Sequence, residues 1–170
     1  WSPALLPKLK ELASLRNMND LSIGPILSWT NKAMLNHIQS ILELPGTTFL
    51  FGGQILTNHN VPKCYGTLEP TAIKVPLDLL LRDEFHLITT ELFGPFQIIV
   101  EYEDKDLHKI TSILERITNR LTAAVVSNEP SFQQKILGMT VNGTTYCGMR
   151  ARTTGAPQNH WFGPSGDPRA

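Results

Sequence analysis

The sequence predicts an α/β protein with a mostly parallel sheet and crossover helices. Segments with apolar residues at helical spacing alternate with short β-branched or aromatic runs, and Pro or Gly residues separate them. In the second half of the chain the order is strand, helix, strand, helix, strand, which favours parallel strands joined by helices. With 170 residues, 41% of them hydrophobic, the chain can bury one core.

Two helices and two strands are predicted in the first half of the chain. Leucines at spacings of three and four predict a helix from near Pro7 to about Leu15. Thr30 is a suitable N-cap for a second helix, which should stop before the turn at Pro45-Gly46. The elements expected next are a strand at 47–51, a loop at 54–69 and a strand at 70–75.

The second half carries the alternation that predicts a parallel sheet. Its expected elements are a strand at 96–102, a helix at 104–118, a strand at 121–126, a helix opened by Pro130 and a strand at 140–142. Residues 143–170 are rich in glycine and proline, show no periodicity and are predicted as loop. A loop of that length is usually either functional or disordered.

Composition argues against several classes of function. Lys and Arg residues number 15 and Asp and Glu residues number 15, so no field of one sign favours nucleic acid. Continuous apolar runs are far shorter than the roughly 20 residues of a bilayer span, so no membrane insertion is expected. The two cysteines form no disulfide framework, which favours a reducing compartment, and the five histidines lack the spacing of a zinc site.

The segment from Glu91 to Phe96 is the strongest candidate for chemistry. Gly94-Pro95 prevents a helix from continuing and sets a rigid turn, which should hold Glu91 and Phe93 at the entrance of a strand. A carboxylate there can accept hydrogen bonds from a vicinal diol such as a nucleotide ribose, and an aromatic face can lie against a flat heterocycle. These residues alone leave open a simpler interpretation, an exposed glutamate and a core phenylalanine at a turn.

The order of several motifs resembles the aldehyde dehydrogenase superfamily along nearly the whole chain. Glu-x-Phe-Gly-Pro at 91–95, followed by a hydrophobic strand, is a hallmark of that family. The other matching motifs are Ile23-Gly24-Pro25, Leu50-Phe51-Gly52-Gly53, Leu121-Thr122-Ala123-Ala124-Val125, Val141-Asn142-Gly143-Thr144-Thr145-Tyr146 and the closing run from Thr153 to Arg169. The closing run is similar in particular to the 1-pyrroline-5-carboxylate dehydrogenase branch. The resemblance implies a C-terminal part of the catalytic domain of such an enzyme.

This resemblance implies NAD as cofactor and two cofactor-binding residues. Glu91 would bind the nicotinamide ribose hydroxyls, and Phe93 would pack beside the nicotinamide ring. The ribose-phosphate end of the cofactor would be bound elsewhere, so these residues do not discriminate NAD from NADP. The implied reaction is oxidation of glutamate γ-semialdehyde, in equilibrium with 1-pyrroline-5-carboxylate, to glutamate.

The resemblance also implies a substrate-binding region near the end of the chain. Phe162 resembles the aromatic residue that lines the family's aldehyde tunnel. The loop after it resembles the anchor that holds the substrate's α-carboxylate through backbone N–H groups. Pro164 stands where the common pattern has glycine, and proline has no N–H to donate. The anchor should therefore depend on Ser165 and on the Gly166 N–H.

The family's reaction needs a cysteine thiolate and a carboxylate base, and the resemblance places both before the residues represented here. We interpret Cys64 as an ordinary thiol. Cys147 and the downstream His160 could form a hydrolase dyad, but a lone Cys and His without a further signature are weak evidence. The 170 residues by themselves are predicted to have no dehydrogenase activity and no metal site.

By resemblance, residues 1–170 form one incomplete catalytic domain, in which 143–170 is the substrate-anchor region. Expected partners are the aldehyde substrate, the rest of the dehydrogenase subunit and further copies in a homo-oligomer, and the expected location is the mitochondrial matrix. The nucleotide-binding and oligomerisation parts would lie outside these residues, and Trp1 in place of an initiator Met favours a natural start elsewhere. The alternative is a catalytically inactive remnant that acts as a structural or interaction module.

Overall fold

The computed structural model describes residues 4–19 and 22–152. Two compact units divide the chain, Trp1–Glu101 and Tyr102–Ala170. The α-helices in the described ranges are α1 (Leu5–Ser14), α2 (Asn31–Leu42), α3 (Phe85–Thr89), α4 (Leu107–Arg116) and α5 (Pro130–Leu137). The strands are β1 (Thr48–Phe51), β2 (Thr71–Lys74), β3 (Phe96–Ile99), β4 (Thr122–Val125) and β5 (Thr144–Cys147). None of these helices is long and apolar enough to cross a bilayer.

The sheet of the first unit has the order β1-β2-β3, with β2 in the centre. β1 runs antiparallel to β2, and β3 runs parallel to β2 with Phe96 opposite Thr71. Three consecutive residues of β2, at 71–73, are buried, which is typical of a central strand covered on both faces. The start of β3 is therefore fixed beside the buried start of β2. This pairing positions the turn at 91–95 that precedes β3.

Both α2 and β2 contribute to the core of the first unit. Met34, Ile38 and Ile41 of α2 are buried at helical spacing, and Ile73 of β2 is fully buried. The N-terminus of α2 is capped as predicted, because the Thr30 hydroxyl accepts a hydrogen bond from the Ala33 N–H at 3.2 Å. By contrast, α1 contains no buried residue, so its leucine stripe forms the helix without contributing to this core.

In the second unit, β4 and β5 pair in parallel from Thr122 opposite Thr144 to Val125 opposite Cys147. Its buried cluster consists of Leu107, Val125 and Ile136, with Phe132 packed against it. Helix α5 begins at Pro130, as the sequence predicts. The parallel pairs β2–β3 and β4–β5, together with the helices, confirm the α/β class.

The prediction of a strand at 140–142 was wrong, because these residues lie between the end of α5 and the start of the pairing with β4. The Thr140 N–H donates to the Ile136 carbonyl at 2.9 Å, which continues the end of α5. Pairing with the β4 side starts only where the Gly143 N–H donates to the Arg120 carbonyl at 3.0 Å. The strand therefore forms at Thr144–Cys147, inside the region predicted as loop. The substrate-anchor role of 143–170 remains a prediction.

Candidate functional site

The turn at 91–95 is held by one buried side chain and two backbone hydrogen bonds. Leu92 is buried between its two exposed neighbours and anchors the turn in the core. The Pro95 carbonyl accepts a hydrogen bond from the Thr71 N–H at 2.8 Å, and the Gly94 carbonyl accepts one from the Phe96 N–H at 2.7 Å. The start of β2 thus fixes the turn, as expected for a rigid Gly-Pro strand entrance.

Phe93 has an unusual backbone conformation for a bulky residue. Its φ is 49°, and it is the only non-glycine residue of the described ranges with positive φ. Its ring is 79% exposed, so burial of the ring in this unit does not explain the conformation. Strain of this kind costs on the order of 1–3 kcal/mol and clusters at ligand sites. The exposed ring also excludes the interpretation of Phe93 as a core residue.

We expect this strain to be measurable by comparing two substitutions at Phe93. Both Phe93→Gly and Phe93→Ala remove the ring, but only glycine adopts φ near 49° without strain. Phe93→Gly should therefore be more stable than Phe93→Ala by about 1 kcal/mol in urea denaturation. The same pair at Phe49, an exposed strand residue without positive φ, should rank in the opposite order. Equal stability of the two Phe93 variants would contradict the strain.

Glu91 and Phe93 lie together on one cleft of about 720 Å³. One wall is the turn at 91–95, and the other is the segment 23–29, which connects α1 to α2. The residues that line the cleft are Ile23, Gly24, Pro25, Leu27, Ser28, Trp29, Glu91, Phe93, Gly94 and Pro95. Glu91 is the only ionisable side chain among these residues. The cleft thus offers one carboxylate acceptor and the Ser28 hydroxyl among apolar and aromatic groups, a combination suited to a hydroxyl-bearing ligand with a flat ring.

The two walls touch beneath the cleft at Ile26 and Gly94. Ile26 is 1% exposed, and a Cβ atom added to Gly94 would lie 2.4 Å from Ile26 Cδ1. The backbone of Ile26 is itself fixed, because its N–H and carbonyl exchange hydrogen bonds of 2.8 Å with Gly66. Only glycine at position 94 allows this close approach. The Gly94 of the predicted motif therefore has a packing role in addition to its role in the turn.

His37 of α2 contacts two aromatic residues, Trp29 of the wall at 23–29 and Phe96, which follows the turn at 91–95. Its ring centroid is 5.5 Å from that of Trp29 and 6.0 Å from that of Phe96. The side chain is 8% exposed, and Nε2 has no hydrogen-bond partner within the described residues. Burial lowers the pKa of His37 below its ordinary value of 6.5, because the charged form would be desolvated. The folded chain therefore favours the neutral imidazole.

This burial predicts a pH dependence of stability. An unfolded chain protonates His37 near pH 6.5, whereas the folded chain keeps it neutral to a lower pH. Between these two pKa values the unfolded state binds more protons, so the free energy of unfolding falls as the pH is lowered from 6.5. Urea denaturation at a series of pH values should show a smaller decrease in a His37→Gln variant. An identical decrease in both proteins would exclude His37 as its source.

Of the other candidate residues, Cys64 and Cys147 do not line this cleft. Phe162, Ser165 and Gly166 fall outside the described residues, as does His160. Cys64 is exposed in the loop between β1 and β2. Cys147 is exposed at the end of β5. The structure thus describes the two predicted cofactor-binding residues and leaves the predicted substrate-binding residues as expectations.

Two curated relatives match almost the entire chain. The mitochondrial delta-1-pyrroline-5-carboxylate dehydrogenase of Arabidopsis thaliana is 55% identical over 99% of the chain, and a "Probable aldehyde dehydrogenase" of Linum usitatissimum is 54% identical over 97%. This chain belongs to the aldehyde dehydrogenase superfamily. It spans 31% and 30% of the lengths of these two relatives, so it corresponds to about a third of each. No family model matches the sequence.

Solved aldehyde dehydrogenases have the same fold. The NAD⁺ complex of an aldehyde dehydrogenase from Bacillus cereus matches 85% of this chain with a TM-score of 0.61, and the match covers 28% of that protein. The identity is 16%, so this likeness concerns the arrangement of helices and strands. The fold expected for an aldehyde dehydrogenase is therefore confirmed over most of the chain.

Sequence reasoning missed the second wall of the cleft in this aldehyde dehydrogenase segment. Ile23-Gly24-Pro25 was recognised as a family motif without a role, and Trp29 and His37 were not considered as part of a site. One signal was available, since each wall contains a Gly-Pro dipeptide, at 24–25 and at 94–95. One Gly-Pro dipeptide lies in the connection between α1 and α2 and the other in the turn before β3, and this dipeptide is the local feature that the walls share.

Proposed function

We propose that this cleft binds the nicotinamide-ribose end of NAD⁺. In this proposal the Glu91 carboxylate accepts hydrogen bonds from the ribose hydroxyls, and the Phe93 ring packs beside the nicotinamide. The observation that carries the proposal is the position of both side chains on one cleft whose other lining residues are uncharged. Further support comes from the Bacillus cereus enzyme of the same fold, whose structure is a complex with NAD⁺.

The reaction that we propose is the oxidation of glutamate γ-semialdehyde, supplied as 1-pyrroline-5-carboxylate, to glutamate. The support for this substrate is the name of the Arabidopsis relative at 55% identity. In the proposal, Phe162 lines the aldehyde path, while Ser165 and the Gly166 N–H hold the substrate's α-carboxylate. The mitochondrial location is proposed from the same relative.

Within such an enzyme, residues of this chain would position the cofactor, and the nucleophile would come from elsewhere. Bound NAD⁺ would supply the hydride acceptor of the oxidation. Glu91 would orient the ribose, and the strained Phe93 would hold its ring toward the cleft without rearranging on binding. The thiolate, the general base and the other copies of a homo-oligomer would come from parts of the dehydrogenase beyond these residues.

The cofactor role of Glu91 is tested in a complete dehydrogenase polypeptide that carries this sequence. Glu91→Gln keeps the size of the side chain but removes its charge, so charge-assisted hydrogen bonds to the ribose hydroxyls are lost. We expect kcat/KM for NAD⁺ to fall by about 10- to 100-fold, with a KM for the aldehyde close to that of the wild type.

The matched control is Glu43→Gln, which makes the same change at an exposed glutamate outside the cleft. This control should retain the wild-type kcat/KM for NAD⁺. The cofactor assignment is wrong if Glu91→Gln behaves like Glu43→Gln. It is also wrong if Glu91→Gln raises the KM for the aldehyde and leaves kcat/KM for NAD⁺ at the wild-type value.

A further inference from the structure

The two walls of the cleft are connected at two places. The first is the contact between Ile26 and Gly94, which leaves no room for a side chain at position 94. The second is the row of rings Trp29, His37 and Phe96, called here the ring bridge. Trp29 belongs to the wall at 23–29, and Phe96 directly follows Pro95 of the other wall. The ring bridge therefore joins the walls through α2.

His37 is the central member of the ring bridge. Its ring is inclined by 54° to the ring of Trp29 and by 66° to that of Phe96, both within the tilted or edge-on arrangements that aromatic rings prefer. Because His37 is 8% exposed and α2 is fixed by fully buried Met34 and Ile41, the imidazole has little freedom to move. Trp29 and Phe96 thus both contact a ring that the core immobilises.

We infer that His37 is a positioning residue, which holds the Trp29 wall and the Glu91–Pro95 wall at the separation that admits the nicotinamide end of the cofactor. The inference rests on the proposed function. His37 is not among the residues that line the cleft, so it acts through Trp29 and Phe96. Removing its ring leaves both neighbours without their common contact, and the cleft loses its fixed width.

The test uses a complete dehydrogenase polypeptide that carries this sequence, with His37→Ala and His37→Phe. His37→Ala should raise the KM for NAD⁺ about tenfold while the KM for the aldehyde stays within about twofold of the wild type. His37→Phe retains an aromatic ring between Trp29 and Phe96, so it should restore most of the affinity. The matched control is His86→Ala, an exposed histidine of α3 outside the cleft, which should leave both KM values unchanged.

A second readout reports on the ring bridge without the cofactor. The fluorine NMR signal of 5-fluorotryptophan at position 29, assigned by its loss in Trp29→Phe, should shift or broaden in His37→Ala. It should keep its wild-type position in His86→Ala. If His37→Ala does not fold, Phe96→Leu replaces it, because this change removes the other ring contact while preserving an apolar side chain of similar size.

Three results would overturn the inference. They are a wild-type KM for NAD⁺ in folded His37→Ala, an equal rise in the KM values for NAD⁺ and aldehyde, and a His37→Phe variant as impaired as His37→Ala. Glu91→Gln in the same series separates the two proposals. If Glu91→Gln leaves kcat/KM for NAD⁺ unchanged, the cofactor assignment fails. If Glu91→Gln lowers kcat/KM for NAD⁺ tenfold while His37→Ala keeps the wild-type KM for NAD⁺, only the role of His37 is excluded.

Discussion

Gly52→Ala should destabilise the first unit by about 4 kcal/mol, the largest effect that we expect from a single methyl group in this chain. Gly52 has a φ of 82°, where an L-residue is strained by about 1–2 kcal/mol. The added Cβ atom would also lie 2.2 Å from the Pro70 carbonyl oxygen and 2.7 Å from Thr71 Cα. Both are backbone atoms, so no side-chain rotation can relieve the overlap.

Thr71 cannot move away easily, because both its backbone N–H and its hydroxyl are held by hydrogen bonds. Its N–H donates to the Pro95 carbonyl at 2.8 Å, and its hydroxyl accepts a hydrogen bond from the Gly53 N–H at 2.8 Å. A displaced Thr71 would therefore also displace the turn that carries Glu91. Urea denaturation should give the loss of stability, and Gly24→Ala, where a Cβ meets nothing within 4 Å, is the control. A Gly52→Ala protein as stable as Gly24→Ala would contradict this account.

Gly94→Ala should cost about 2–3 kcal/mol for a different reason. The new Cβ atom would lie 2.4 Å from Cδ1 and 2.5 Å from Cγ1 of Ile26, a side chain that is 1% exposed and cannot rotate into solvent. Because Gly24 lines the same cleft in open space, Gly24→Ala should stay within about 1 kcal/mol of the wild type. The difference in the free energy of unfolding between the two variants, measured by urea denaturation, gives the cost of the overlap between Ile26 and the added methyl group.

A double substitution identifies Ile26 as the partner in this contact. Ile26→Ala removes Cδ1 and Cγ1 and leaves only Cβ, 3.8 Å from the added atom, which is an ordinary contact distance. Ile26→Ala alone should cost about 2–5 kcal/mol through the cavity that it creates. Adding Gly94→Ala to that variant should then cost almost nothing, whereas simply additive losses would show that the overlap lies elsewhere.

These substitutions have consequences for the proposed chemistry as well as for stability. Gly52 acts on the wall at 91–95 through Thr71, whereas Gly94 lies in that wall and contacts Ile26 of the wall at 23–29. If the cleft binds the nicotinamide end of NAD⁺, either substitution in a complete dehydrogenase polypeptide that carries this sequence should raise the KM for NAD⁺. Two glycines of the family-like motifs would then support cofactor binding by permitting close backbone packing.

The sequence predicted the elements whose signals lie within a few residues of one another. Thr30 capped α2, Pro130 opened α5, and Gly94-Pro95 placed a turn directly before β3, all as expected. Caps, prolines and β-branched runs act locally, so they can be recognised without knowledge of the fold. The strand at 140–142 was predicted wrongly because the Thr140 N–H still bonds to Ile136 of α5, and the pairing with β4 begins only after these residues.

From the sequence alone came the α/β class, the aldehyde dehydrogenase family and the proximity of Glu91 to Phe93 along the chain. Only the tertiary structure placed Trp29 opposite them, buried His37 between two rings and gave Phe93 its positive φ. The physical reason is separation: the walls at 23–29 and 91–95 are distant in the chain and meet through the packing of α2 and the pairing of β2 with β3. Side chains brought together in this way leave no local pattern in the sequence.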